Sequence, residues 1–208
     1  MGGKPDLSLE AGDLGGDPMI QFRRWFEDAE AEGIHLANAI ALATADDEGR
    51  PSARHVLLRG FDDRGFVFFT NYESRKARQL GENPYAAFAL MWKELDRQVC
   101  VTGAVERTTA EESDAYFASR PREARIGAWA SAQGTVLGSR DELMDRFVEM
   151  DRKYPGKDVP RPSFWGGFRI APGTVEFWQA RAFRLHDRFR YTPDDAERSG
   201  WRVERLSP

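Results

Sequence analysis

Residues 54–80 read RHVLLRGFDDRGFVFFTNYESRKARQL, with strand, turn, strand and helix patterns in direct succession. Two runs rich in β-branched and aromatic residues, at 52–60 and 65–71, flank the sequence DDRG, which is typical of a tight turn. Residues 73–80 then predict a short helix. Because strand follows strand without an intervening helix, the pattern argues against a doubly wound parallel sheet.

The same organisation continues on both sides of this stretch. Further strands are predicted at 37–45, 84–92 and 97–106, and in about four places between 164 and 206. Capping patterns predict three helix starts, at Asp17-Pro18, at Thr109 with Glu112, and at Ser139 with Glu142. We therefore expect a mainly β fold with α (α+β), in which one antiparallel barrel with peripheral helices spans residues 17–208, preceded by a mobile tail at 1–16.

Composition and charge are those of an ordinary globular protein. Hydrophobic residues make up 41% and charged residues 31% of the 208 residues, enough for one well-buried domain. The net charge of −4 provides no general attraction to nucleic acid or anionic membrane, and no apolar run is long enough to span a bilayer or form a signal peptide. With Cys100 as the only cysteine and three scattered histidines, we expect a cytoplasmic protein without a disulfide or a metal site.

Residues 176–191, EFWQARAFRLHDRFRY, carry a row of basic side chains. If this stretch is one strand, alternation places four of them on one face, namely Arg184, His186, Arg188 and Arg190. Such a row repels itself unless water or an anion compensates, so it predicts either a solvated edge strand or an anion site. Trp178 just upstream favours a flat, phosphorylated ligand.

Two more groups of cations lie in the opening stretch. Arg54 and Arg59 are an odd number of residues apart, so either the strand ends between them or they serve different parts of a ligand, unless both merely flank a core strand. Arg75 and Lys76 fall in the first turn of the predicted helix, where the helix dipole disfavours cations. A bound phosphate would resolve that conflict, and solvated surface cations are the alternative.

Tyr116 and Arg120 are spaced i,i+4 and share one helix face, where they could hold a second anionic group or form a cation–π pair. The small residues of the segment 127–134 would allow close approach of a ligand or a second subunit. The motifs GxGxxG, GxxxxGK[ST], GxSxG and HExxH are absent. A nucleotide-type cofactor would therefore bind without the standard phosphate loops.

Taken together, these motifs resemble the pyridoxamine (pyridoxine) 5′-phosphate oxidase family. The similarity extends from about residue 17 to residue 208 and includes residues 54–80 and 176–191, YFASRPREARIGAWAS, VPRPSFWGGFRI and the ending WRVERLSP. The resemblance implies a split β-barrel homodimer that binds FMN at the subunit interface. It also implies oxidation of pyridoxamine or pyridoxine 5′-phosphate to pyridoxal 5′-phosphate, with O2 as the acceptor and H2O2 as the second product.

The resemblance further implies a role for each matching residue. The FMN phosphate and ribityl chain would be held by Arg54, Arg75 and Lys76, and the flavin would be lined by Val56, Leu57, Leu58, Phe69, Thr70 and Gln98. The other subunit would complete the cofactor site with Gln133, Trp178 and Arg188. The substrate phosphate would bind Arg59, Tyr116 and Arg120, and the catalytic residues over the substrate ring would be Arg184 and His186.

Several positions depart from the family pattern. Arg59 stands in place of the usual Lys, Ala124 in place of a Ser that contacts the substrate phosphate, Gly134 in place of a Ser near FMN, and Phe69 in place of a common Tyr; Ala180 and Phe183 also differ. Because the substrate-phosphate set is altered at two of four positions, two alternatives stay open. One is a related flavin oxidase for another small aromatic metabolite, as in the phenazine branch, and the other is a non-catalytic FMN- or pyridoxal-phosphate-binding protein.

Overall fold

A computed structural model describes residues 8–156, 158–197 and 200–208. In these ranges nine strands form one sheet, and all neighbouring strands are antiparallel. The strands are β1 (Ala39–Ala45), β2 (Pro51–Leu57), β3 (Gly60–Asp62), β4 (Gly65–Asn71), β5 (Tyr85–Trp92), β6 (Arg97–Arg107), β7 (Trp165–Gln179), β8 (Asp187–Pro193) and β9 (Trp201–Arg205). Their order is β2-β1-β5-β6-β7-β4-β3, with β8 beside β7 and β9 beside β8.

Five α-helices surround the sheet in the described ranges: α1 (Pro18–Ala31), α2 (Arg75–Glu82), α3 (Ala110–Ser119), α4 (Arg122–Ala130) and α5 (Arg140–Lys153). The helix starts predicted at Asp17, Thr109 and Ser139 are all confirmed, since each side chain accepts a backbone N–H of its helix. None of these helices is long and apolar enough to cross a membrane. The expected architecture, a mainly β antiparallel barrel with peripheral helices, is confirmed.

The core lies between α1 and the sheet. Phe22 and Trp25 of α1 pack edge-on against Phe66 and Phe177, with ring centroids 4.8 and 5.2 Å apart. All four side chains are at most 3% exposed. Burial of each of these side chains stabilises the fold by roughly 1.5–3 kcal/mol, so the contact holds α1 on the barrel. The opposite surface of the sheet is left for other contacts.

Two parts of the chain differ from the sequence predictions. The single strand predicted over 176–191 is wrong, because β7 ends at Gln179 and β8 begins at Asp187. The residues between them form a loop in which Phe183 and Arg184 have φ values of 60° and 64°. Helix α4 was not predicted from its sequence, since its N-cap is Pro121 and provides no side-chain cap.

The segment before α1 contacts the barrel. Leu9 is 5% exposed, and the hydroxyl of Tyr191 donates a hydrogen bond to the carbonyl of Gly15 at 2.7 Å. Residues 1–7 lie outside the described residues. The mobility expected for the tail at 1–16 therefore stays a prediction.

Arg169 of β7 links α3 to the β3–β4 hairpin, and its removal is expected to destabilise the fold. Its side chain is 4% exposed and binds the carboxylates of Asp62 at 2.6 Å and Glu112 at 2.9 Å. We expect Arg169→Met to lower the free energy of unfolding by about 1–3 kcal/mol, because both half-exposed carboxylates can be rehydrated. Arg64→Met is the control: Arg64 binds the same carboxylates but its side chain is 61% exposed, so urea unfolding should show a loss below about 1 kcal/mol. Equal losses for the two variants would contradict the prediction.

Candidate functional site

The candidate site is a cavity of about 580 Å³ between β2, β4 and the helices α2, α3 and α4. This volume is in the range of small-molecule and cofactor sites. The residues that line it are Arg54, His55, Val56, Leu57, Arg59, Phe69, Thr70, Asn71, Lys76, Tyr116, Arg120, Ala124, Gly127, Ala128, Ser131, Gln133 and Trp165. Ten of the seventeen residues that sequence analysis assigned to the FMN and substrate sets lie around this cavity, namely Arg54, Val56, Leu57, Arg59, Phe69, Thr70, Lys76, Tyr116, Arg120 and Gln133.

One end of the cavity carries two cations that bind only neutral partners among the described residues. Arg54 donates to the hydroxyl of Thr44 at 2.7 Å and to that of Ser52. The ammonium group of Lys76 donates to Thr70 Oγ1 at 3.0 Å, and Lys76 is only 8% exposed. Burial, and to a smaller extent the charge of Arg54, lowers the pKa of Lys76 to about 8. Two cations held together without a carboxylate make a site for an anion.

Gln133 lies beside these cations in the same chain. Its Oε1 accepts hydrogen bonds from Lys76 at 3.1 Å and from Thr70 at 3.0 Å. Gln133 thus reaches the cation end of its own chain's cavity, because the segment after α4 lies against Thr70 of β4, and the expectation that the other subunit supplies Gln133 stays a prediction. The sequence motif could not indicate which chain the side chain comes from.

A second group of cations lines the same cavity. Arg59 lies over the ring of Tyr116 at 5.9 Å, and the guanidinium of Arg120 lies 4.8 Å from the ring of Trp165. Phe69 stacks on Tyr116 with ring centroids 4.0 Å apart. Nη1 of Arg120 is buried and has no hydrogen-bond partner among the described residues, and burial lowers the pKa of its guanidinium. The cation–π contacts thus join Arg59 to Tyr116 and Arg120 to Trp165 rather than Tyr116 to Arg120, and the anion-binding role of Tyr116 and Arg120 stays a prediction.

The end of β2 explains how Arg54 and Arg59 reach one cavity. The strand ends at Leu57, and the Leu58 N–H still donates to the carbonyl of Asn38 in register with β1, whereas the Arg59 N–H donates to the carbonyl of Val67 in β4. The backbone turns at this point, so the odd spacing of the two arginines no longer separates their side chains. Of the two geometrical alternatives, the strand end is the one observed.

Glycines at the start of β7 let α3 approach the sheet. A Cβ at Gly166 would lie 3.0 Å from Oγ of Ser113 in α3, and a Cβ at Gly167 would lie 2.5 Å from Oγ1 of Thr108, which lies just before that helix. Only glycine fits at this contact. The close packing is what carries Tyr116 on α3 into the cavity.

Gln98, Trp178 and Arg188 form a second group outside the cavity lining. They are direct partners across β6, β7 and β8, so they share one face of the sheet. Arg188 is held there by Glu176, whose carboxylate lies 2.9 Å from its guanidinium, and by the carbonyl of Ser207 at 3.0 Å. Gln98 is thus placed with the two residues expected from the other subunit rather than with the lining of its own chain's cavity.

The loop 180–186 carries the two expected catalytic residues. Arg184 is exposed, and no hydrogen bond or ion pair holds its guanidinium within the described residues. The ring of His186 lies 4.6 Å from that of Trp178, and its Nδ1 accepts the backbone N–H of Arg181 at 3.1 Å. A neutral imidazole therefore carries its proton on Nε2, which makes that nitrogen a hydrogen-bond donor.

Two further residues that the sequence analysis assigned to the FMN set do not line the cavity. Leu58 is buried and Arg75 is exposed, and neither contacts the cavity. Conversely, sequence reasoning missed Trp165 and Asn71 as lining residues. Both stand at strand ends and pair with each other across β4 and β7, a contact that no local pattern indicates. No cluster of metal-binding side chains occurs in the described ranges.

Known proteins resemble this chain over nearly its whole length. Residues 26–153 match the family model described as pyridoxamine 5′-phosphate oxidase, and residues 165–208 match the pyridoxine 5′-phosphate oxidase C-terminal dimerisation region. The pyridoxine/pyridoxamine 5′-phosphate oxidase of Burkholderia thailandensis is 54% identical over 201 residues, covering 97% of this chain and 94% of that protein. Its counterpart in Burkholderia multivorans is 56% identical with the same coverage.

Two solved structures share the fold. PhzG from Burkholderia lata, in complex with tetrahydrophenazine-1-carboxylic acid, is 32% identical and superposes with a TM-score of 0.90 over 97% of this chain and 98% of that one. A pyridoxamine 5′-phosphate oxidase-related, FMN-binding protein from Nostoc punctiforme superposes with a TM-score of 0.73 at 18% identity, covering 94% and 98% of the two chains. The split-barrel fold is therefore shared even where the sequences have diverged.

Proposed function

The chain belongs to the pyridoxamine 5′-phosphate oxidase family of oxidoreductases, and we propose that it oxidises pyridoxamine or pyridoxine 5′-phosphate to pyridoxal 5′-phosphate with FMN as its cofactor. In this proposal O2 is the final acceptor and H2O2 the second product. The observation that carries it is that two groups of cations, each without a carboxylate partner among the described residues, line a single cavity. Two phosphates, one from the cofactor and one from the substrate, would neutralise them.

The residues present fit FMN. Lys76 and Arg54 would bind its phosphate, because both are held by neutral groups that leave their positive charge uncompensated. Val56, Leu57, Phe69 and Thr70 would line the flavin along β2 and β4. FMN supplies the hydride acceptor when it is bound. The expected contributions of Arg75 and Leu58 to FMN binding stay predictions.

The second group would hold the substrate. Arg59, Tyr116 and Arg120 offer two guanidiniums and a hydroxyl to its phosphate, and the buried Nη1 of Arg120 is the donor that lacks a partner. Ala124 adds no donor at this end of the cavity. Arg184 and His186 would act at the substrate ring, where the guanidinium stabilises developing charge and Nε2–H of the imidazole orients the reacting carbon.

A homodimer would bring the two groups of site residues together. Gln98, Trp178 and Arg188 lie outside the cavity of their own chain, and the matching C-terminal region is the dimerisation region of the family. The outward face of β1 and β5 carries apolar side chains, with Ala41 and Ala89 paired on it and Met91 53% exposed. We propose that this face packs on a second copy of the chain. The residues Gln98, Trp178 and Arg188 of that copy would then complete the cofactor site. A single FMN-binding domain over 17–208 and a cytoplasmic location remain part of the proposal.

The test is an oxidase assay of the purified protein. We expect a yellow protein that converts pyridoxine 5′-phosphate and pyridoxamine 5′-phosphate into the aldehyde with consumption of O2 and production of H2O2. A yellow protein that turns over neither compound would reject the proposed substrate.

A second candidate substrate is a small aromatic acid of the phenazine type. The solved structure of PhzG at 32% identity holds such a compound, and Ala124 and Arg59 alter the substrate-phosphate set of this chain. Bleaching of the flavin without oxygen, followed for both compound classes, separates the two candidates. Improved B6-phosphate turnover in Arg59→Lys and Ala124→Ser variants would show that these two positions detune a phosphate site.

The pKa of Lys76 predicts how FMN affinity depends on pH. A bound phosphate favours the charged amine, whereas the free protein loses that proton above about pH 8. FMN binding should then require proton uptake, and its affinity should fall by up to about tenfold per pH unit as the pH rises above 8. Fluorescence titration of the apoprotein between about pH 7 and 9.5 measures this.

Lys76→Arg provides the matched control for that titration. Arginine keeps its charge throughout this pH range, so its FMN affinity should change little. The same decline in both proteins would mean that another group titrates.

A further inference from the structure

One buried carboxylate joins three parts of the chain beside the loop 180–186. Oδ2 of Asp187 accepts the N–H of Leu9 at 3.1 Å and lies 3.5 Å from Nε of Arg181, while its Oδ1 accepts from Nη1 of Arg205 at 2.8 Å. Asp187 is 8% exposed. A buried carboxylate with several charged and backbone donors fixes the position of the segments that supply them.

Arg181 connects this carboxylate to His186. Its guanidinium pairs with Asp187, and its backbone N–H donates to Nδ1 of His186 at 3.1 Å. Arg181 therefore binds the carboxylate through its side chain and the imidazole through its backbone. The orientation and tautomer of the imidazole depend on this backbone donor.

The loop itself has little packing that would hold its shape. Phe183 is 93% and Leu185 68% exposed, and two successive non-glycine residues, Phe183 and Arg184, have positive φ. Such a backbone persists only where the surroundings over-determine it. The ion pair and hydrogen bonds at Asp187 are contacts of this kind, because they hold the two ends of the loop together.

The segment before α1 completes the arrangement. Arg205, already bound to Asp187, also binds Glu10 at 2.6 Å and the carbonyl of Leu9 at 3.4 Å. Residues 9–10 thus contact the carboxylate and its cationic partner at once. This makes a segment that is distant in sequence part of the support for the loop.

We propose that Asp187 is a positioning residue for the loop that carries Arg184 and His186, and that residues 9–10 take part by binding to it. The consequence for turnover rests on the proposed oxidase function. The consequence for the order of the loop does not, because it follows from the contacts alone.

Asp187→Asn tests the proposal, since it keeps the shape of the side chain and removes its charge. In the FMN-loaded protein, we expect kcat to fall at least about tenfold, with KM and FMN affinity within about threefold of wild type. Trypsin should cut after Arg181 or Arg184 at least about five times faster, because these basic sites become mobile. Asp194→Asn, at the residue that directly follows β8, is the matched control and should change neither rate.

Leu9→Pro tests the N-terminal contact by a second route, since it removes the N–H that Asp187 accepts. Leu9→Ala keeps that N–H and loses only the side chain, so it should increase trypsin cleavage of the loop less than Leu9→Pro does. If Asp187→Asn does not fold, the comparison of Leu9→Pro with Leu9→Ala still tests whether the contact with Asp187 orders the loop. Unchanged kcat and unchanged cleavage in Asp187→Asn, or equal cleavage in the two Leu9 variants, would overturn the proposal.

The two proposals can fail separately. If wild type oxidises neither B6 phosphate, the proposed substrate is wrong, and trypsin cleavage still measures the order of the loop. If wild type is active and cleavage of the Asp187 variant stays slow, the proposed function stands and the positioning role is refuted.

Discussion

Replacing Arg184 with alanine is expected to lower kcat about 10²–10³-fold, the largest effect on turnover that we predict. The guanidinium is exposed and not bound by any described residue of its own chain, so its removal leaves the local structure intact. Loss of a positioned donor at developing charge typically raises the barrier by about 2.7–4 kcal/mol. Steady-state oxidation of pyridoxine 5′-phosphate measures the change.

Arg190→Ala is the matched control for Arg184→Ala. It is another basic residue of the stretch 176–191, but its guanidinium pairs with Glu204 at 3.1 Å on the neighbouring strand. We expect its kcat to stay within about twofold of wild type and FMN affinity to be unchanged in both variants. Turnover of Arg184→Ala within about threefold of wild type would exclude the catalytic role.

Removing both cations at the first end of the cavity should nearly abolish FMN binding. Each hydrogen bond from a charged group contributes about 1.5–3 kcal/mol, so Arg54→Gln/Lys76→Gln should weaken FMN binding roughly 10²–10⁴-fold. The apoprotein should remain folded, because burial already disfavours the charged form of both side chains and lowers both pKa values, so that neutral side chains are better tolerated there. Quenching of FMN fluorescence on titration gives the dissociation constant.

Arg78→Gln on the same helix, α2, provides the comparison for that variant. Arg78 is exposed and points its guanidinium at the carbonyl of Glu73, outside the cavity lining. Its FMN affinity should stay within about twofold of wild type. If the double variant binds FMN as tightly as Arg78→Gln does, the phosphate lies elsewhere.

Much of the fold was predictable because the local signals agree with one another. The capping residues Asp17, Thr109 and Ser139 each begin an observed helix, and the strand predicted at 65–71 is β4, whereas the strand predicted at 52–60 is divided between β2 and β3. These signals act over a few residues, through side-chain alternation and backbone N–H groups at helix ends, so they survive in any tertiary context. The residue motifs likewise indicated the family.

The site was less predictable, because its parts come from separate elements. Trp165 and Asn71 reach the cavity only through the pairing of β4 with β7, and Gln133 only because the chain folds back after α4. The apparent strand at 176–191 failed for a different reason. Alternating basic and apolar residues continue through the loop. Phe183 and Arg184 have positive φ although neither is a glycine, so the sequence gives no sign of the turn.

The sequence by itself determined the antiparallel sheet, the three helix starts with capping side chains, the family and the set of cations that could bind phosphates. The tertiary structure alone decided which cations share a cavity, which side chains stand apart for a second subunit, and that Asp187 binds Leu9, Arg181 and Arg205 together. The physical reason is the distance along the chain over which each signal acts. Alternation and capping are local properties of the backbone, whereas a site is made by side chains that meet only after distant strands have paired.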